Sequence, residues 1–168
     1  MTKPKSSRNT ILALDQSTSV TGYCVFCNGK KIESGTIKSS FDIDKDNFFE
    51  RINDMGRQIN LLVDRIKPSV VILEDIQFQR NYGVYKRLAN LQGVIFTYLF
   101  LQDVPFFLIE VTKWKSFLGV TSKGRENQKA ETRALVKSIY NIDAEEDEAD
   151  AIGIGHWAVH NLIITNKE

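Results

Sequence analysis

Ser69-Val70-Val71-Ile72-Leu73-Glu74 is the stretch from which the chain can be read. It is an unbroken apolar run, bounded by Lys67-Pro68 before it and closed by an acid. A short run rich in β-branched residues describes a strand buried on both faces, as in a parallel sheet. The pattern repeats one near the start, Thr10-Ile11-Leu12-Ala13-Leu14-Asp15, again apolar and again ending in an acid. Between them Phe48, Ile52, Met55, Ile59, Leu62, Val63 and Ile66 form the stripe of an amphipathic helix. Strand, helix and strand imply a parallel crossover. The two strands then lie side by side, and Asp15 and Glu74 emerge together at one edge of the sheet.

Working outward, Gln16-Ser17-Thr18-Ser19 is a turn, and apolar runs from Val20 to Cys27 and Lys31 to Ile37 flank Asn28-Gly29. Asn-Gly between two such runs is a hairpin signal, so the first forty residues form a three-strand meander. Ile76 to Gly83 is expected as a polar loop with two aromatics, and Val84 to Gln102 as a helix (Val84, Leu88, Leu91, Ile95, Tyr98, Gln102). That helix carries Gly93 at its centre and apolar faces that suit a core and also a dimer contact. Val104 to Glu110 is expected as a fifth strand, followed by a basic, glycine-containing loop (Gly119, Gly124) and a helix from about Asn127 to Tyr140. An acid-headed helix closes the chain. The order βββαβαβαα matches the ribonuclease H-like architecture. This is an α/β fold whose five-stranded mixed sheet joins a three-strand antiparallel meander to two parallel strands, flanked by helices. Such a fold hosts many activities and selects none.

The 168 residues suit one domain, and 42% hydrophobic with 26% charged residues is the composition of a soluble globular protein. Residues 1–9 are expected as a flexible basic tail (Lys3, Lys5, Arg8) and 10–165 as a single domain. No apolar run approaches the roughly 20 residues of a membrane span, and no signal-peptide pattern is present, so a cytoplasmic location is expected. Cys24 and Cys27 lie three apart on a strand and face opposite ways, which suits small packed thiols better than a metal pair. The net charge of +1 conceals a segregation: Thr112 to Lys137 holds seven basic residues against two acids, and an acidic run follows at once. A basic lobe beside an acidic pocket suits a polyanion held against metal ions; a solvated basic helix face is the plain alternative.

The acidic run is Asp143-Ala144-Glu145-Glu146-Asp147-Glu148-Ala149-Asp150, leading into Ile152, Ile154 and Trp157. On its own it fits a capped helix start, with Asp147 as N-cap, as well as a site. Asp147 and Asp150 share one face, a turn apart. Together with Asp15 and Glu74 they bring carboxylates from three separate elements to one edge. Such crowding raises pKa values unless hard divalent cations relieve it, and Mg2+ or Mn2+ accept oxygen ligands. Two such ions per active site are a device for in-line displacement at phosphorus. Phe78, Arg80 and Tyr82 combine stacking planes with a cation, as unstacked bases require, although loop aromatics also simply pack down.

Asp15 with Thr21-Gly22-Tyr23, then Pro68 to Glu74, then Asp147, Asp150, Ala151 and Ile154 resemble the RuvC-type Holliday junction resolvases, over about Ile11 to His160. The resemblance implies that Asp15, Glu74, Asp147 and Asp150 are catalytic metal ligands. It implies a homodimer that nicks opposing strands of a four-way junction, leaving 5′-phosphate and 3′-hydroxyl ends. It also implies a lysine at the scissile phosphate, for which Lys129 matches best, with Lys113 or Lys115 matching an earlier one. Lys123 and Arg125 of the basic lobe join Phe78, Arg80, Tyr82, Lys113 and Lys115 as expected DNA contacts. Family members commonly carry Pro-Gly after the first aspartate, where this chain has Gln16-Ser17, and an aromatic where it has Gln77 beside Phe78. This short, divergent form is more similar to phage or prophage members. The alternatives are a nuclease of forks, flaps or RNA, a junction-binding module without catalysis, or an ATPase-like phosphate binder using Asp15 to Thr18.

Overall fold

The computed structural model describes residues 9–43, 46–78 and 81–162. Its strands are β1 (Thr10–Asp15), β2 (Val20–Cys27), β3 (Lys30–Lys38), β4 (Val70–Glu74) and β5 (Phe106–Ile109). Its helices are α1 (Phe48–Ile66), α2 (Tyr82–Leu101), α3 (Val111–Leu118), α4 (Arg125–Tyr140) and α5 (Glu146–Asn161). The strands form one sheet in the order β3-β2-β1-β4-β5. The meander is antiparallel, and β4 lies parallel to both β1 and β5. Asn28 and Gly29 close the β2–β3 hairpin at φ 49° and 80°, the positive-φ pair that a two-residue turn of this twist demands.

Alternation along the central strands divides the core into two layers. Leu12, Leu14, Val71 and Leu73 face α1 and α2, packing with Met55, Ile59, Leu91, Ile95 and Leu99. Ile11, Ala13, Val70 and Ile72 face the other way, against Trp114, Val136, Ile152 and Ile154 of α3, α4 and α5. Cys24 belongs to this second layer, Cys27 is only half-buried, and both are free thiols, as their spacing predicted. α5 comes unusually close to the sheet because small residues form its inner face. A Cβ added at Gly155 would stand 2.5 Å from the Phe26 ring, and Ala149, Ala151 and Ala158 are also buried.

Four boundaries differ from the sequence reading. The stretch expected as a loop after β5 is helix α3, which buries Trp114 and Leu118 and ends at Gly119 with φ 101°. Its signal was the spacing of Val111, Trp114 and Leu118, masked by the lysines between them. α2 starts at Tyr82, because the Asn81 side chain accepts the Val84 amide at 3.2 Å, so Tyr82 and Gly83 belong to a helical turn. α4 starts at Arg125 after Gly124, and β5 is shorter than expected, beginning just after Pro105.

Candidate active site

β1 pairs with β4 through Ile11↔Val70, Leu12↔Val71, Ala13↔Ile72 and Leu14↔Leu73. The next residue on each strand is an acid. By alternation Asp15 and Glu74 both fall on the α5 side of the sheet. Directly across β1, the register partner of Asp15 is Gly22. A Cβ there would stand 1.8 Å from the Asp147 carbonyl oxygen, so only glycine lets the first turn of α5 rest on β2 at this point. Asp147 is thereby set over Asp15, and Asp150 follows a turn later.

The four carboxylates feel one another. Burial, then the charges of Glu74, Asp150 and Asp147, push Asp15 well above the usual carboxylate range, with Lys115 opposing. Burial raises Glu74 to about 7, against a hydrogen bond from Trp114 and the charge of Lys115, while Asp150 and Asp75 add to the rise. Burial likewise lifts Asp150 to about 6, opposed first by Lys115, and it lifts Asp147, opposed first by Lys129. Trp114 Nε1 donates to Glu74 Oε2 at 2.8 Å, and the amides of Gln16 and Gln92 both donate to the Glu74 carbonyl at 2.8 and 2.9 Å. Glu74 is therefore fixed at its main chain and at one carboxylate oxygen. Among the described residues no three His, Cys, Asp or Glu side chains are closed into a cage as they stand. The backbone has brought four oxygen-donor groups to one end of the sheet, and oxygen donors are the ligand type that a hard cation takes.

The remaining acids of the run have other partners. Asp143 accepts Lys137 at 2.5 Å, Glu145 stands 3.9 Å from Lys38, Glu146 is bound by Lys129, and Glu148 accepts the Ser34 hydroxyl at 2.7 Å. α5 has no side-chain cap: its N-cap is Glu145, whose side chain makes no capping bond. The capping alternative, with Asp147 as N-cap, is thus overturned. Asp147 and Asp150 are the two acids of the run left without an ion pair or hydrogen-bond partner among the described residues.

The lysines separate clearly. Lys115, half-buried on α3, is the cation that acts on Asp15, Glu74 and Asp150, while its ammonium bonds Gln128 at 3.2 Å. Lys113 is exposed and pairs with Glu110 at 3.6 Å, away from the carboxylates. Lys129 sits at the rim, held by Glu146 and acting on Asp147. Lys123 and Arg125 are exposed around the start of α4. Phe78 and Tyr82 are 70% and 64% exposed, so neither has packed down, although Phe78 meets the Tyr85 ring edge at 5.5 Å. Arg80 lies outside the described residues. His156 and His160 are engaged elsewhere: Tyr140 bonds His156 at 2.6 Å, and His160 donates to the His156 carbonyl at 2.8 Å. The sequence reading missed the roles of Trp114, Gln16, Gln92 and Gly22, because none of them is chemically conspicuous until the sheet register is known.

A family model described as crossover junction endodeoxyribonuclease RuvC matches residues 11–156, nearly all of the folded chain. The chain belongs to the RuvC family. Among its relatives, the crossover junction endodeoxyribonuclease RuvC of Dictyoglomus turgidum is 28% identical over 153 residues, covering 86% of this chain and 92% of the relative. That of Baumannia cicadellinicola is 23% identical over 147 residues, covering 87% and 85%. Of solved structures, T. thermophilus RuvC in complex with a Holliday junction substrate superposes with a TM-score of 0.71 at 16% identity, over 90% of this chain and 93% of that one. The yeast mitochondrial Holliday junction resolvase Ydc2 matches with a TM-score of 0.59 at 16% identity, over 89% and 77%. The fold is ribonuclease H-like. No helix of the described RuvC-family chain is long and apolar enough to cross a membrane.

Proposed function

We propose that this chain is a divalent-metal-dependent endonuclease that resolves four-way DNA junctions. The observation that carries the reading is the placement of Asp15 and Glu74 one step beyond Leu14↔Leu73, beneath Asp147 and Asp150. Four carboxylates whose pKa values are all raised by burial form the donor set that suits Mg2+ or Mn2+. Two ions held there would supply an activated water and charge neutralisation at the phosphate. The chain's own groups orient the reaction. Trp114 orients the Glu74 carboxylate, and Gln16 and Gln92 hold its main chain. Lys115 adds positive charge beside the reacting phosphate, and Lys129 does so from the rim, steadied by Glu146. The water oxygen bonds to phosphorus as the P–O3′ bond breaks, and the leaving oxygen takes a proton, giving 5′-phosphate and 3′-hydroxyl ends.

Phe78, Tyr82 and the basic start of α4 are the surfaces proposed to hold the junction arms, and Arg80 is proposed with them from the sequence. A homodimer fits the end of α2, where Phe100 and Leu101 are 78% and 70% exposed. Paired nicks then follow from two equivalent sites. Calorimetric titration with Mn2+ tests the metal reading: wild type is expected to take up two ions per chain, and Glu74→Gln to lose at least one. Uptake unchanged by Glu74→Gln sinks it. A panel of junction, fork, flap and RNA–DNA substrates with end mapping then decides the substrate class.

A further inference from the structure

The cavity on the opposite side of the sheet end has a composition that the carboxylate site does not explain. It is lined by Ser17, Thr18 and Ser19 of the β1–β2 turn, by Ile43 and Arg51, and by Val84, Arg87 and Leu88 of α2, and holds about 230 Å³. Arg51 is only 5% exposed, and its Nε is buried without a hydrogen-bond partner. A guanidinium is always charged, and a buried charged donor with no acceptor is costly. No carboxylate lines the cavity among the described residues. Of the acids beside it on α1, Glu50 is exposed and does not line the cavity, and Asp54 is already taken by the Ser40 amide at 2.8 Å, the Gln58 amide at 3.0 Å and the Ser39 hydroxyl at 3.3 Å. The turn opposite is set in advance: Ser17 N donates to Thr21 Oγ1 at 3.1 Å, and Thr21 Oγ1 donates back to the Ser17 carbonyl at 2.9 Å. Two guanidiniums and three hydroxyls around a cavity that no acid lines among the described residues have the chemistry of an anion site.

We propose that this cavity binds a backbone phosphodiester of the DNA on which the carboxylate site acts, and so registers the strand on the enzyme. This rests on the function proposed above for the carboxylates. The link is covalent: Ser17, which lines the cavity, follows Asp15 by two residues, at most ~7 Å of chain, so the cavity and the carboxylate site adjoin at the end of β1. Arg51 forms the buried end of the pocket, and Arg87 closes on the anion from α2. Their role is to position the strand; neither touches the reacting atoms.

The test uses the full chain without divalent metal, so that binding is read apart from cleavage. Affinity for a four-way junction and for linear duplex is measured against salt for wild type, Arg51→Gln and Arg87→Gln. Each variant is expected to weaken both by roughly tenfold and to reduce the salt slope by about one phosphate. The Arg51 Nε–H nitrogen resonance, identified by its loss in Arg51→Gln, is expected to move on adding DNA and to move less with inorganic phosphate. Should Arg51→Gln fail to fold, Arg87→Gln alters only a half-buried residue and carries the same comparison. Unchanged affinity and slope in Arg87→Gln overturn the proposal. So does an Arg51 resonance that responds to inorganic phosphate and not to DNA, which marks a free-phosphate site. A pocket that engages DNA in a protein that cuts no junction supports the pocket and removes only the resolvase reading.

Discussion

The two sides of the sheet end at β1 are opposites. On the α5 side Asp15 meets Glu74, Asp147 and Asp150, all with raised pKa values. On the α1–α2 side, two residues further along, Ser17 to Ser19 meet Arg51 and Arg87 with no acid lining the cavity among the described residues. The turn after β1 makes the contrast possible, because the chain leaves the strand at Asp15 and carries Ser17 to Ser19 towards α1 and α2 before β2 begins. Neither side is optimised for stability: one crowds like charges and the other buries a guanidinium Nε–H without a hydrogen-bond partner. Complementary ligands, cations on one side and a polyanion on the other, would relieve both.

The contrast breaks most severely at Gly22. Gly22→Val would drive side-chain atoms into the Asp147 carbonyl, costing about 3 kcal/mol or more and displacing the head of α5. The expected outcome is a lower Tm with cleavage lost, while DNA binding through the arginine side survives where the protein folds.

A smaller effect sharpens the acid side through pH. Glu74 has a folded pKa of about 7 against an ordinary 4.5, so the folded state holds more protons than the unfolded state between those values. Its contribution to stability is therefore full below about pH 4.5 and lost as pH rises through 7, by roughly 3 kcal/mol. In EDTA, thermal melts are expected to show Tm falling between about pH 5 and 7, a slope that Glu74→Gln flattens and Mg2+ removes. A Tm that rises across that interval because of Glu74 contradicts the electrostatic description.

Trp114→Phe removes the hydrogen bond to Glu74 and should cost about 1–3 kcal/mol. It should also raise the Glu74 pKa further, weakening Mn2+ uptake near pH 7 with recovery at higher pH; titrations at two pH values check this. The smallest contrast lies between neighbours on α3. Lys115→Ala is expected to slow cleavage roughly tenfold to a hundredfold through loss of charge at the site, whereas Lys113→Ala, whose partner is Glu110, should change single-turnover rates by under about twofold.

Much of this arrangement was legible before the structure. Two apolar runs ending in acids, with an amphipathic helix between, determine the parallel pairing that joins Asp15 to Glu74. The Asn28-Gly29 hairpin and the spacing of Asp147 and Asp150 were equally explicit. The tie between Trp114 and Glu74 was hidden because α3 looked like a basic loop. Choosing Lys115 over Lys113 required knowing which way that helix turns, since residues two apart on a helix do not share a face. The arginine cavity was invisible because Arg51 lies within a helix stripe, and its burial depends on α2 closing from a distant part of the chain. Gly22 matters only once α5 lies on it.

The central claim is that the acid side performs the chemistry while DNA is held largely elsewhere. Single-turnover cleavage of a synthetic four-way junction by wild type and Asp15→Asn, with junction affinity measured in parallel, tests it most directly. The expected result is Mg2+-dependent paired nicks by wild type, loss of cleavage by on the order of a thousandfold in Asp15→Asn, and affinity within a few-fold of wild type. Equal cleavage by both proteins, or cleavage and binding lost together in a folded variant, would contradict it.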